Sequence, residues 1–447
     1  MKKIVFLIFL LAVITVQSQI KGNLKHQAGQ ELTLTGFNNF KSEILSVTTI
    51  DSLGNFTLIY PRDYKGMGVI QAGDKSSLAF VLNESNLKIN GTHLKEKDSL
   101  VFINSKENNL FVQYVKNCGQ RQSAASAWNY LKDKYQNDKI FNNQKEILET
   151  INIELNRIEK EDSNYLKNLD KDSYLSWYLP LRKLVSDMPN TVRNNKKQIP
   201  KNIKEFRSID FNNPKFKTSG LLKDLIEGHY MLLENMGQSL DSVYTEMNSS
   251  TKYLIANVKE NEALLNEVGS HLFYYLEKRS LYTSAEYLAV QLLSQNSCSL
   301  EENLTNKLES YRKLKVGKTA PEIVFANQTK LSEINTNKLL FFGASWCSKC
   351  KEEALKLNTY YNTWKEKRVE VIYISIDTDK AAFESAYKNA PWKTDCNFMG
   401  WNTQAIKDYH VFATPTYFLL DKDLKILLRP NSIEQTNSWL NSKFMDN

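Results

Sequence analysis

The chain has 447 residues, enough for about three domains of ~150 residues each. Its 42% apolar and 24% charged residues are ordinary globular values, which exclude wholesale disorder, a collagen-like chain and a polytopic membrane protein. Lys plus Arg number 58 against 50 Asp plus Glu, a net +8 with no long basic block, so nucleic-acid binding has no support, and five cysteines are too few for a disulfide scaffold.

Lys2 and Lys3 precede a 13-residue apolar run, Ile4 to Val16, with Val16 two positions before Ser18. This pattern predicts a secretory signal peptide over residues 1–18, cleaved before Gln19. The run is short for a bilayer span of ~20 residues, and no later stretch is long and apolar enough. No cysteine precedes Cys118, so lipid attachment at a cysteine after the leader is excluded. The expectation is a soluble exported protein of a periplasm, with no integral membrane segment after cleavage, in a compartment where disulfides persist.

Eight of the 16 glycines fall in the first 91 residues. Short strand-like segments follow one another there: Leu32 to Phe37, Phe56 to Tyr60, Ala79 to Leu82 and Leu87 to Ile89. Asp51-Ser52-Leu53-Gly54-Asn55 and Asn90-Gly91 supply turn signals between them. Residues 19–103 therefore read as an all-β domain, a small sandwich or barrel. Residues 104–315 read as helices. Ile147, Ile151, Leu155 and Ile158 recur at helical spacing, as do Leu110, Phe111, Tyr114, Val115 and Cys118, and Leu264, Leu265, Val268, Leu272 and Leu276. Trp128, Leu131 and Tyr135 are expected in the core, and Pro180, Pro189, Pro200 and Pro214 to break or join helices. Residues 316–447 alternate strand and helix: Leu339–Phe342 and Val369–Ile376 as strands, Glu352–Trp364 and Lys380–Lys388 as helices, a hairpin around Asp421-Lys422-Asp423, and a closing helix from Ile433. That order predicts an α/β domain with a mixed sheet.

The chemistry lies in Trp346-Cys347-Ser348-Lys349-Cys350, which follows a buried strand and opens a helix. Residues three apart in a first helical turn sit about 5–6 Å apart at Cβ, close enough for a disulfide. Cys347 falls at the helix N-terminus, where unpaired N–H groups stabilise a thiolate, and Lys349 adds positive charge. Cys350 falls one turn inside on the apolar face. An accessible nucleophile and a shielded resolving thiol make a dithiol–disulfide exchange site. A zinc site would need about four ligands, and one Cys pair with five scattered histidines does not supply them. A purely structural bridge rarely closes so short a loop. A cysteine peroxidase of related fold would carry threonine three residues before the reactive cysteine, where this chain has Ala344.

Residues from about Val316 onward resemble the thioredoxin-like fold of the TlpA/ResA group of exported thiol–disulfide oxidoreductases, a likeness covering about 130 residues. Gly317-Lys318-Thr319-Ala320-Pro321 is similar to the leading segment of that group, Trp346 with Cys347 and Cys350 matches its active-site motif, and Ala413-Thr414-Pro415-Thr416 resembles the loop that carries its cis-proline. The resemblance implies that Pro415 is the cis residue, that Trp346, Thr414 and Pro415 border the substrate groove, and that a helix and strand are inserted among the 64 residues between Cys350 and Pro415. It also implies that Glu353, three residues after Cys350, deprotonates the resolving thiol, where thioredoxin itself uses a buried aspartate at the position of Phe341. Leu355 replaces the proline that kinks this helix in many relatives, so a straighter helix is expected. The segment around Asp51-Ser52-Leu53-Gly54-Asn55-Phe56 resembles a β-rich domain of unknown function that precedes exported thioredoxin-like proteins in some Gram-negative bacteria.

The implied reaction is disulfide exchange in client proteins through Cys347 and Cys350, as reductant, with electrons from a membrane thiol reductase and no metal, nucleotide or flavin cofactor. The competing reading is a non-catalytic client-binding or assembly module that uses the thioredoxin-like domain as a docking platform. Of the remaining cysteines, Cys118 is expected buried and inert, Cys298 lies in a polar turn, and Cys396 is either a plain free thiol or a third redox partner.

Overall fold

The computed structural model describes residues 17–142, 144–294 and 300–444. The predicted leader, apart from Gln17 and Ser18, and Cys298 lie outside the described residues. The chain forms two compact units, one ending at Gly237 and the other beginning at Gln238.

The first unit opens with eight strands: β1 (Gln17–Leu24), β2 (Glu31–Asn38), β3 (Lys41–Thr49), β4 (Asn55–Pro61), β5 (Gly66–Ala72), β6 (Ser77–Leu82), β7 (Asn86–Gly91) and β8 (Val101–Ile103). They make two four-stranded sheets, ordered β4-β1-β7-β8 and β3-β2-β5-β6. Both line one core that includes Ile20, Leu34, Leu58, Ile70, Phe80, Ile89 and Phe102. Alternation along β4, where Phe56, Leu58 and Tyr60 are buried and their neighbours exposed, is the period-2 signal of a half-buried strand. Gln17 and Ser18, on the leader side of the expected cleavage point, pair with Pro61 and Tyr60 in β1. The Asp51 turn forms as its residues dictate. The Asp51 carboxylate accepts from the amides of Leu53 and Asn55, and Gly54 takes φ +86 at a point where a Cβ would run into the Lys25 backbone.

Five helices complete this unit: α1 (Lys106–Asn137), α2 (Lys145–Lys167), α3 (Tyr174–Asn194), α4 (Ile199–Phe206) and α5 (Leu222–Glu234). Side-chain amides at the start of α1 cap both sheets. Asn108 bonds the amide and carbonyl of Val81, and Asn109 those of Phe102, so the β6 and β8 edges are satisfied. Three expectations need correction here. Trp128 and Tyr135 are only half-buried and Leu131 is 38% exposed, because α1 packs mainly on α2, and a two-helix contact buries a narrow stripe. Cys118 on α1 is half-buried rather than buried. Pro180 and Pro189 lie inside α3 and do not end it, since its apolar face is anchored by the buried Leu175, Tyr178, Leu179 and Met188.

The second unit begins with α6 (Leu240–Val258), α7 (Glu262–Lys278), α8 (Tyr282–Ser294) and α9 (Glu302–Lys313). It continues through β9 (Asn337–Gly343), α10 (Ser348–Glu366), β10 (Val369–Ser375), α11 (Lys380–Tyr387), β11 (Lys393–Asp395), α12 (Gln404–Asp408), β12 (Thr416–Leu420), β13 (Ile426–Leu428) and α13 (Ile433–Phe444). The mixed sheet is ordered β11-β10-β9-β12-β13. The first three strands run parallel, and β12 and β13 run antiparallel to their neighbours. Central β9 has Leu339, Leu340, Phe341 and Phe342 all fully buried, as a strand covered on both faces must be. Each such side chain contributes about 1.5–3 kcal/mol of burial. α11 and β11 occupy the stretch between Cys350 and Pro415, and α10 runs unbroken through Leu355, which is exposed. Glu322–Phe325 forms only an isolated bridge, from Val324 to Lys330.

The helices of this unit are bonded to its sheet. Glu286 of α8 and Arg429, just past β13, form a buried ion pair at 3.2 Å, with the guanidinium over the rings of Tyr282, Tyr311 and Phe418. Burial pushes the Glu286 carboxyl up, and the Arg429 charge opposes the shift.

Candidate active site

β9 delivers the chain to the site. Its last residue, Gly343, has no room for a side chain, because a Cβ there would collide with the Tyr373 hydroxyl. The chain then turns, with the Cys347 amide bonded to the Ala344 carbonyl at 3.2 Å. Cys347 is the N-cap of α10, and its sulfur accepts from the Cys350 amide at 3.2 Å. The short polar cap that serine or aspartate normally supplies is here a thiol sulfur, so the helix end acts directly on the reactive atom. Cys347 and Cys350 are disulfide-bonded, with Cα atoms 5.2 Å apart. Cys347 keeps 8% exposure and Cys350 none. The pair therefore has one sulfur at the rim and one in the core.

Trp346 is 60% exposed beside the disulfide. Across from it the Thr414–Pro415 peptide is cis, Thr414 and Pro415 are half-buried, and the Cys347 sulfur lies 3.5 Å from the Thr414 carbonyl oxygen. Phe412, two residues before Thr414, is 55% exposed and lies under the Lys307 ammonium of α9.

Glu353 is 1% exposed, on the same face of α10 as Cys350. Its Oε2 accepts from the Ile433 amide at 2.8 Å and the Tyr417 hydroxyl at 3.3 Å, and its Oε1 from Lys356 at 3.0 Å. Burial and the neighbouring Glu353 carboxylate both push the Tyr417 hydroxyl up, so it stays a donor. Lys349 is half-exposed and turned toward carboxylates. Its ammonium lies 3.0 Å from Glu352 and 3.7 Å from Glu353, and the Glu352 bond raises its pKa.

Cys396 is buried, with its sulfur 3.5 Å from the Asp377 carbonyl oxygen, and burial pushes its thiol up. Cys118 is shifted the same way by burial, then by Asp162. No group of three or more His, Cys, Asp or Glu among the described residues is arranged to hold a metal ion.

Sequence reasoning missed Ser345 and Asp377. Asp377 is 1% exposed and follows β10. Its carboxylate accepts from the Ser345 amide at 2.9 Å, the Ser345 hydroxyl at 2.7 Å and the Ser375 hydroxyl at 2.6 Å. A signal was present, since an acidic residue at the carboxyl end of a parallel strand stands where α/β sheets place functional side chains.

Comparison with known proteins finds thioredoxin-like relatives. A family model described as thioredoxin-like matches residues 335–426. The thiol-disulfide oxidoreductase ResA of Bacillus thuringiensis subsp. konkukian (strain 97-27) is 34% identical over 136 residues, covering 29% of this chain and 76% of the relative. A ResA of Bacillus cereus is 35% identical over 123 residues, covering 26% and 69%. Among solved structures, a thiol-disulfide oxidoreductase from Bacteroides fragilis NCTC 9343 is 30% identical and covers 28% of this chain and all of that one, with a TM-score of 0.26. No described helix is long and apolar enough to cross a membrane.

Proposed function

We propose a reaction for this chain on the premise that it belongs, through its C-terminal domain, to the thioredoxin-like family of the ResA thiol–disulfide oxidoreductases. The proposed reaction is reduction of disulfides in exported client proteins. The observation that carries it is the placement of Cys347 as the N-cap of α10, bonded to a fully buried Cys350.

In the reduced protein the Cys347 thiolate attacks one sulfur of a client disulfide. A Cys347–client bond forms, the client S–S bond breaks, and the first client thiolate leaves. The resolving thiol of Cys350 gives its proton to Glu353, and the resulting thiolate attacks the Cys347 sulfur. The second client thiolate departs, two electrons have passed to the client, and the chain is left with the Cys347–Cys350 disulfide. A membrane thiol reductase returns two electrons. Trp346, Thr414 and Pro415 border the groove, and the Thr414 backbone pairs with an extended client segment as an added strand. The apolar run after Lys2 and Lys3 supports a periplasmic location.

Insulin reduction with a small dithiol as electron source tests this reading. Wild type should precipitate insulin, and Cys347→Ser should lose the activity. Equal rates for the two proteins would rule out the enzyme and leave a binding module.

A further inference from the structure

Asp377 is a buried carboxylate that the reaction above does not use. Both of its oxygens accept hydrogen bonds, and all three donors are uncharged: the Ser345 amide and hydroxyl and the Ser375 hydroxyl. The titratable groups facing it are Tyr373 of β10, Tyr387 of α11 and Cys396, none of them a cation. Among the described residues no lysine, arginine or histidine pairs with it. The Asp377 amide donates back to the Ser375 hydroxyl, and the Ile376 amide bonds the Gly343 carbonyl at 2.9 Å, so the loop after β10 is locked against the turn after β9. Ser345 stands two residues before Cys347, a chain span of at most about 7 Å.

We propose that Asp377 is a positioning residue for the redox couple: it fixes the Ser345–Trp346 turn that presents Cys347, and it sets an unpaired negative charge against that turn which disfavours the Cys347 thiolate. This rests on the reading that Cys347 and Cys350 form a working dithiol–disulfide couple. The helix end and Asp377 then act on the same atom with opposite sign. A charge of this kind near an ionisable group in the half-dry interior of a protein is worth about a tenfold change in its ionisation equilibrium. A less stable thiolate makes a less stable reduced form, so the charge holds the couple on the reducing side.

The test compares wild type, Asp377→Asn and Ser345→Ala as full chains. Alkylation of Cys347 by iodoacetamide is followed against pH. The dithiol–disulfide equilibrium against dithiothreitol is read at about pH 9, where most of the thiol is ionised. Asp377→Asn keeps an acceptor for the Ser345 amide and removes the charge. Its alkylation curve should move down by about one pH unit, and its equilibrium toward the dithiol by about tenfold, or roughly 30 mV. Ser345→Ala keeps the charge and removes one hydrogen-bond donor that disperses it, so its curve should move up, by less. A merely structural role would loosen the turn in both variants and move both curves the same way. Superimposed wild-type and Asp377→Asn curves, or shifts of one sign in both, overturn the proposal. If Asp377→Asn does not fold, the direction of Ser345→Ala decides, and an absent or downward shift overturns it. A wild type that cannot be cycled between dithiol and disulfide removes the redox reading and this proposal together, whereas a cycling couple that Asp377→Asn leaves unmoved removes the proposal alone.

Discussion

Replacing Glu353 by glutamine should separate its chemistry from its packing. The Glu353 carboxylate holds the Ile433 amide at 2.8 Å and the Tyr417 hydroxyl at 3.3 Å through one oxygen, in a position 1% exposed. Alanine would orphan both buried donors, at about 1–3 kcal/mol each, so Glu353→Ala should lose about 2–6 kcal/mol of stability and confound any kinetic reading. The glutamine carbonyl can keep the Ile433 bond. What it gives up is charge assistance, about 1 kcal/mol, offset in part because a neutral amide is easier to bury than an anion. The kinetic loss should be far larger, since a positioned general base contributes about 10²–10⁴-fold. The assay mixes reduced protein with a disulfide peptide, quenches with acid and measures the mixed disulfide. Attack by Cys347 should keep its rate, and resolution should slow at least about 100-fold, so that the adduct accumulates. Raising the pH should narrow the gap, because bulk base then competes with the missing carboxylate for the Cys350 proton. A folded Glu353→Gln protein that resolves the adduct at the wild-type rate near neutral pH would refute Glu353 as the base.

Other outcomes follow from the same structure. Cys350→Ala should attack but not finish, leaving mixed disulfides with exported proteins on non-reducing gels; a folded variant without adducts would count against protein clients. Lys349→Glu should shift Cys347 alkylation by less than about 0.5 pH unit, because Lys349 is exposed and pairs with Glu352 at the surface; a larger shift would show that it tunes Cys347. His229 is fully buried and stacked 3.6 Å from the Phe206 ring, and burial holds its imidazole well below the usual value. The unfolded chain then binds a proton that the native state refuses. Stability present above pH ~6.5 should fall by about 1.4 kcal/mol per unit as the pH drops toward 5, and His229→Phe should flatten denaturant curves over that window; an unchanged slope would place the effect elsewhere. Arg429→Ala strands the buried Glu286 and should cost about 3–5 kcal/mol, with much of the loss recovered in the double variant that also carries Glu286→Leu; a near-neutral single variant would mean that water reaches the pair.

The elements that place the disulfide are legible because each writes a local pattern. Four consecutive apolar residues from Leu339 mark a strand covered on both faces, and Cys350, Leu357, Tyr361 and Trp364 recur at helical spacing on the face that is buried. The Asp51 and Asp421 turns are legible for the same reason, since each carboxylate bonds amides two and four residues ahead. What stayed hidden depends on contacts across sequence. Nothing near Asp377 indicates that its carboxylate will meet Ser345, 32 residues earlier. Glu353 is an ordinary helical glutamate in sequence, and its burial depends on Ile433 arriving 80 residues later. Trp128, Leu131 and Tyr135 mislead in the opposite direction. Their spacing shows that they share a face, but only the fold shows how little lies against it.

The charges around the two sulfurs bear on the direction of electron flow. The α10 N-terminus favours a Cys347 thiolate by up to about 2 kcal/mol, and the Cys350 amide on the sulfur adds to it. Acting alone, that would stabilise the reduced form and make the disulfide a strong oxidant. The remaining nearby charges do not reinforce it. Lys349, the one cation between the cysteines, is held by Glu352 and faces Glu353. Two buried carboxylates stand close to the motif, Glu353 on the Cys350 face of α10 and Asp377 behind the turn. Lys356 pairs with Glu353 at 3.0 Å, so on the proposal above it is Asp377, with no cation beside it among the described residues, that opposes anionic sulfur. A site built to oxidise clients would place cations or dipoles at these positions. Carboxylates there are consistent with the proposed reducing couple, in which Glu353 would draw the proton from Cys350 once the mixed disulfide has formed.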